Sequence, residues 1–313
     1  MMNSGVRRVP MKFYLGELPL AQVWFNVEVC LMGLQELLSE DPNRLQVPSP
    51  KDGDGVLFRS FPISLSAKRV RLQKSGIYYA FQTYRRYYTD LSIGYLKYLE
   101  NFSAKSRATV RRKVRRFQEH CHEQVYFRRF SQIDEMKEFY DLARRVSQSS
   151  YQEKLLDAGL PNDETFYSKM TQDSLSGRVR AYLLLHAERP VAYLYCDSSD
   201  EVLLYSYLGY DPEYREWSVG TILQWLVMED LLQRDRAFKY FDFTEGEGTH
   251  KEFFSTGSVY CANIFVLKPK LKCIVVVLLH MTWERILWGV KAILDASGIK
   301  SKIKNLVRFG RVK

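Results

Sequence analysis

The chain lacks most of the features that announce a function class. It has five cysteines, Cys30, Cys121, Cys196, Cys261 and Cys273, odd in number, scattered and without a CxxC pair. That spacing argues against a disulfide framework or a zinc site and for reduced thiols in a cytoplasmic protein. The N-terminus shows no basic, apolar and small-residue succession of the kind that directs secretion. There is no internal repeat and no low-complexity tract. No Ser or Cys nucleophile motif appears, so neither a covalent acyl-enzyme nor a metal is expected. No recognised RNA or DNA module is present, which ranks nucleic acid last among partners.

What is present is ample material for a packed core. The 313 residues are 46% hydrophobic and 14% aromatic, enough for one large or two ordinary domains. The formal net charge of +10 is unevenly spread. Ser103–Arg129 carries a net +7, Lys268–Lys313 a net +9, and the remainder is acidic at −6. Two basic segments on an acidic body suit local anion or membrane-surface contacts better than wholesale nucleic-acid binding.

Periodicity predicts a helix over Leu20–Ser39, a loop over Asp41–Gly55, strands over Val56–Leu65 and Ile77–Tyr84, and a short helix over Ser92–Glu100. Ser103–Cys121 reads as a helix capped by Ser103. Val110, Val114, Phe117 and Cys121 form its apolar stripe, and Arg107, Arg111 and Arg115 lie on another face with Arg112 and Arg116 beside them. A regular series follows: strand Val125–Phe130, helices Ile133–Gln148 and Glu164–Leu175, and strands Arg180–His186, Val191–Cys196 and Val202–Gly209. The short links between these strands imply an antiparallel meander. A helix at Val219–Gln233, a strand at Lys239–Phe243, a helical turn at Thr249–Ser255 and a strand at Val259–Leu267 complete the order.

The turn Tyr214–Gly220 joins a strand directly to a helix start. Free amides there, at the positive end of the helix dipole, suit a diphosphate. Gly220 permits close approach, Arg215 can add a charge-assisted bond, and Ser218 can bind phosphate or simply cap the helix. An ordinary strand–turn–helix explains the same residues.

The element order resembles the GNAT superfamily of acyl-CoA acyltransferases. That superfamily holds coenzyme A on an Arg/Gln-x-x-Gly-x-Gly/Ala turn, matched here by Arg215-Glu216-Trp217-Ser218-Val219-Gly220, with Ser218 in place of the middle Gly. Over about Tyr87–Pro269 the chain is also similar to the CelD-type branch associated with cellulose and exopolysaccharide biosynthesis. The matching pieces are Ser103-Ala104-Lys105-Ser106-Arg107 with Arg111-Arg112, Tyr210-Asp211-Pro212 with Ser218-Val219-Gly220, and Phe241-Asp242-Phe243 with Gly246 and His250-Lys251. His250 stands where that branch usually has Tyr.

The resemblance implies an α/β fold with a mixed, largely antiparallel GNAT-type sheet flanked by helices. It implies a smaller, GNAT-like N-terminal half over 1–100, the acyltransferase domain over 101–269, and an amphipathic helix and basic tail over 270–313. It also implies acetyl-CoA as donor, bound by Arg215, Ser218, Val219 and Gly220, and a sugar or sugar-nucleotide acceptor bearing an amine or hydroxyl. A backbone amide of the fourth strand would polarise the thioester. Asp242 is the first choice for base, with Glu245 or Glu247 as substitute and His250 as acid toward the leaving thiolate. Capping or pairing with Lys251 accounts for Asp242 equally well. Tyr210, Lys251 and Arg111 are candidates for the acceptor, while Tyr205 and Tyr207, two apart on one strand, share a face and read as core.

The basic helix reads first as a solvated or paired face, second as a grip on an anionic acceptor and third as a nucleic-acid contact. Cys273–Leu294 is apolar but interrupted by His280, Glu284, Arg285 and Lys291, which makes it a poor membrane span and a better core helix. The tail Ile299–Lys313 suits a peripheral contact with anionic lipid. The rival readings are a Fem-type aminoacyl transferase using aminoacyl-tRNA and a non-catalytic polysaccharide-assembly adaptor.

Overall fold

The structure is a computed structural model that describes residues 2–16, 18–39, 52–73, 76–150, 153 and 159–296. Most of the expected loop Asp41–Gly55 and the whole tail Ile299–Lys313 lie outside the described residues. In chain order the elements are strands β1 (Met2–Leu15) and β2 (Leu18–Leu31), helix α1 (Leu34–Ser39), strands β3 (Gly55–Pro62), β4 (Val70–Gln73) and β5 (Gly76–Asp90), and helices α2 (Tyr95–Glu100) and α3 (Ala104–His120). Then come strand β6 (Val125–Phe130), helices α4 (Met136–Ser149) and α5 (Glu164–Leu175), and strands β7 (Val179–His186), β8 (Arg189–Ser199) and β9 (Val202–Tyr210). Helix α6 (Val219–Arg234), strand β10 (Tyr240–Asp242), helix α7 (Thr249–Phe254), strand β11 (Gly257–Leu267) and helix α8 (Leu271–Ala296) end the series. The fold is mixed α/β with helices flanking mostly antiparallel strands; β2–β3 and β9–β10 are parallel.

The expected helix over Leu20–Ser39 is instead strand β2 followed by the short α1. Helical spacing of Val23, Val27, Cys30 and Leu31 coincides there with the alternation Val23, Phe25, Val27, Val29. The β-branched and aromatic residues decide for the strand, and Phe25 and Val27 are the two side chains that it buries completely.

The chain divides into two compact units. The first comprises Met1–Met32, Ser39–Thr83 and Cys261–Lys313, and the second Gly33–Leu38 and Tyr84–Tyr260. In the first, β1, β2, β3, β11 and the beginning of β5 lie in that order, with β4 paired to β5. Helix α8 covers one side through Cys273, Val276 and Val277, which join Phe25, Val27, Tyr79 and Phe265 in one core. Residues Leu271–Val290 have a mean hydropathy of 1.5 and are, by length and composition alone, long and apolar enough to cross a membrane.

In the second unit the order is β5, β10, β9, β8, β7, β6. Strand alternation splits its core in two. Tyr182 and Leu184 point to a cluster built with α3 and α6, including Val110, Phe117, Ile222 and Leu223. Ala181, Leu183 and Leu185 point to a cluster with Phe139, Ala143, Val146 and Met170 of α4 and α5. Ser103 caps α3 by accepting the Ser106 amide at 3.1 Å. All five cysteines are buried free thiols.

Candidate functional site

Strand β9 is where the second unit opens. Its parallel ladder with β10 runs only from Val202–Tyr240 to Leu204–Asp242, whereas its ladder with β8 continues to Tyr210. Among the described residues, 205–210 therefore have a neighbouring strand on one side only. The β8–β9 register also shifts: Tyr195 pairs with Tyr207 and Cys196 with Tyr205, leaving Ser206 as an extra residue. A bulge of this kind turns the strand and re-aims its side chains. It overturns the expectation that Tyr205 and Tyr207 share a face. Tyr205 packs with Phe241 and Phe243 on the α3/α6 side, and Tyr207 packs with Phe166 and Tyr195 on the α4/α5 side.

One group of polar residues gathers beyond the C-terminal end of β10. Asp242 is fully buried, and the Arg86 guanidinium, itself 5% exposed, donates to both of its oxygens, with Nη2–Oδ2 at 2.5 Å. Oδ1 of Asp242 also accepts the Thr244 amide at 2.8 Å, which fixes a turn in which Thr244 takes φ +60°. The loop is tied down again where Glu247 Oε1 accepts the Arg85 amide at 3.1 Å and Lys251 Nζ donates to the Glu245 carbonyl at 2.7 Å. The Phe254 carbonyl, at the end of α7, accepts from Thr89 and Tyr98. The structure thus brings Asp242, Glu245, His250 and Lys251 together.

The electrostatics of this group differ by residue. Burial pushes the Lys251 ammonium down to about 8 with help from nearby Arg86, while Asp242 and Glu245 pull the other way. His250 is an exposed residue; what desolvation its ring has, with the Lys251 charge beside it, shifts it below its ordinary value. Its ring lies 6.1 Å from that of Tyr205.

A second group sits at the other end of the open edge. A 3-10 turn, Pro212–Trp217, follows β9 and leads into α6. Ser218, between them, is left-handed (φ 55°, ψ 39°), a conformation that glycine adopts without strain, and its side chain makes no capping bond. The Thr221 and Ile222 amides close on the Ser218 carbonyl. Those of Val219 and Gly220, at the first helical positions, have no intrahelical acceptor. A Cβ on Gly220 would meet only Tyr210 Cδ1, at 3.7 Å, so Tyr210 borders this helix start.

Ser218 and Trp217 line a hollow together with Glu216 and with Arg112, Lys113 and Arg116 of α3. Trp217 lies against α3, with Arg116 5.7 Å from its ring centre and the His120 ring stacked on it at 4.0 Å. Among the described residues none of these three cations forms an ion pair. Arg215 is exposed and does not line the hollow. Arg111 is exposed too and acts on Tyr95, whose hydroxyl burial raises to about 12. Sequence reasoning singled out Arg111 and missed Lys113, Arg116, Trp217 and Arg86. The i, i+4 pair Arg112/Arg116 was a usable signal for the hollow; nothing local marked Arg86. Among the described residues no group of three or more His, Cys, Asp or Glu is placed to hold a metal ion.

Residues 104–252 match the family described as Acetyltransferase (GNAT) domain. This stretch, from the start of α3 into α7, is a GNAT-type acetyltransferase domain; it contains the hollow and Asp242, Glu245, His250 and Lys251, while Arg85, Arg86, Thr89, Tyr98 and Phe254 lie outside it. Among solved structures the chain is similar to the C-terminal domain of a protein described as a lysylphosphatidylglycerol synthetase from Agrobacterium fabrum (12% identity, 73% of this chain and 72% of that one, TM-score 0.47). It is similar to a conserved protein from Bacteroides thetaiotaomicron (10% identity, 78% and 82%, TM-score 0.47). It is also similar to FemX (12% identity, 84% and 88%, TM-score 0.43). No curated protein sequence matches the chain.

Proposed function

We propose that this protein transfers an acetyl group from coenzyme A to an amine or hydroxyl of a sugar or sugar-nucleotide acceptor. The observation that carries the reading is the open edge of β9, bulged at Ser206, with unpaired cations at one end and shifted titratable groups at the other. From Tyr205 to Tyr210 this edge spans about 17 Å, room for a linear arm between a phosphate grip and a reacting centre. Coenzyme A supplies the acyl group as an activated thioester; the rest is done by the chain.

Arg112, Lys113 and Arg116, with the Val219 and Gly220 amides and Ser218, fit a diphosphate by charge and by donor type. Arg215 and Arg111 then play outer roles. A β9 amide near the bulge polarises the thioester carbonyl. His250, neutral at working pH, takes the proton of the attacking nucleophile. Lys251, near pKa 8, gives a proton to the departing thiolate, whose own pKa is close to that value. Asp242 is a positioning residue in this scheme: it holds Arg86 and the Thr244 turn and keeps Lys251 from losing its proton at still lower pH. Glu245 offers its carbonyl to Lys251, and Tyr210 borders the entry. The saccharide acceptor rests on the likeness to the CelD-type motifs.

A second reading, aminoacyl transfer from tRNA, is favoured by one feature: the basic residues of α3 extend past the hollow to exposed Arg111 and Arg115. Calorimetry separates the two. Acetyl-CoA is expected to bind, and to bind about tenfold more weakly after Arg112→Ala or Arg116→Ala. No heat with acetyl-CoA at millimolar concentration, together with saturable aminoacyl-tRNA binding, would overturn the acetyl reading.

A further inference from the structure

The outer side of α8, in the first unit, lies outside the acyl-transfer scheme proposed above, and among the described residues of that unit nothing covers it. The helix is apolar on two sides. Its inner side is engaged: Cys273, Val276, Val277 and His280 are buried, and polar groups lock it to β5 and the β1–β2 hairpin. His280 Nδ1 lies 2.7 Å from the Tyr79 hydroxyl and Nε2 3.2 Å from the Lys12 carbonyl. Lys272 Nζ donates to the Trp24 carbonyl and Trp283 Nε1 to the Tyr14 carbonyl. The outer side exposes Leu271, Ile274, Leu278, Leu279 and Ile286, and Trp288 is exposed on a neighbouring side toward the C-terminal end, from 39% for Ile274 to 77% for Leu271. Positions 271, 275, 278, 282 and 286 fall on one stripe of a helix. The hairpin end adjoining Trp283 adds exposed Leu15, Leu18 and Leu20. An exposed apolar surface of this kind, broken by Thr282 and Arg285, marks an interaction site.

The charges around it identify the occupant. Exposed Arg7, Arg8 and Lys12 lie on β1, and Lys270 and Lys272 stand at the start of α8. The sequence that follows the helix, 297–313, holds Lys300, Lys302, Lys304, Arg308, Arg311 and Lys313 and no acidic residue. An apolar stripe bracketed by cations suits a bilayer rich in anionic lipid. The helix is long and apolar enough to span, but its inner side is bonded to protein. A span would have to break those bonds, whereas a helix lying flat keeps them. We propose that α8 and the tip of the β1–β2 hairpin seat the protein on an anionic membrane surface, with the helix in the interfacial plane and its inner side still on the sheet. This is independent of the acyl-transfer reading.

The test is flotation of the full chain with vesicles of phosphatidylcholine alone or with about 30% phosphatidylglycerol, alongside the double variant Leu278→Glu/Leu279→Glu and the single variant Trp288→Glu. Circular dichroism melts check that each variant folds; Trp288, 75% exposed, is the gentler change if the double variant does not. The parent is expected to float with anionic vesicles and to bind neutral ones at least about tenfold more weakly, and each folded variant is expected to lose about tenfold or more. Absence of vesicle binding by the parent overturns the proposal. So does binding unchanged in both variants, or a stable dimer that ignores vesicles and is dissolved by Trp288→Glu, which would make the face an interface between copies of the chain.

Discussion

The second unit holds two sets of basic side chains in opposite circumstances. Arg86 is buried and its charge is met by the fully buried Asp242. Arg112, Lys113 and Arg116 crowd one hollow, and among the described residues they have no ion-pair partner. A buried pair is satisfied within the protein, and removing either half leaves an uncompensated charge. Like charges gathered at a solvent-facing hollow repel one another and gain from an anion that arrives from outside. The contrast separates a cation satisfied within the fold from cations that the proposed function assigns to a ligand.

The comparison makes predictions of graded size. Arg86→Ala should cost about 3–5 kcal/mol of stability, read by urea denaturation, while the apolar pair Arg86→Met/Asp242→Leu should recover much of it. A loss below about 1 kcal/mol would show that the pair is not what holds this corner.

Lys251→Met should lower turnover by about 10²–10⁴ with little change in acetyl-CoA affinity. The parent's rate should rise with pH as His250 loses its proton, below the ordinary histidine value, and fall through about pH 8 as Lys251 loses its own. Lys251→Met should abolish the alkaline limb and His250→Gln the acid one. Stability should follow the same group. Its folded pKa lies below the unfolded one, so between about pH 8 and the ordinary lysine value the unfolded chain binds more protons and stability rises with pH. Denaturation curves of Lys251→Met should lack that rise.

Arg112→Ala and Arg116→Ala should each weaken acetyl-CoA binding about tenfold, equal to about 1.4 kcal/mol. They should leave stability within about 0.5 kcal/mol of the parent. If either unfolds the chain, the contrast drawn above collapses. The smallest effect belongs to Ser218→Gly, which relieves a left-handed non-glycine residue. It should change stability by no more than about 1 kcal/mol, measured by thermal melt, and should leave binding intact if the Ser218 hydroxyl is dispensable.

Much of the second unit was legible. The Ser103 cap, α3, α5 and the β7–β8–β9 meander stand close to where periodicity and turn chemistry placed them, because each signal is local. Leu20–Ser39 was misread because two periods coincide in it. The equivalence of Tyr205 and Tyr207 failed because a bulge is a property of a pair of strands, and Cys196 lies on the other strand. Of the chemistry, Lys251 and His250 could be proposed from the sequence, but the direction of their pKa shifts depends on what buries them.

The sequence by itself determined the order of helices and strands from α3 to β11, the turn that opens α6, and the location of the two basic segments. These follow from side-chain periodicity and from conformational preferences that act over a few residues. Tertiary structure alone decided that Arg86 meets Asp242 across 156 positions, that α3 and the Ser218 turn share one hollow, and that, among the described residues, one side of α8 is covered while the other is exposed. Each of these depends on which distant surfaces exclude water from one another, and no local pattern specifies that.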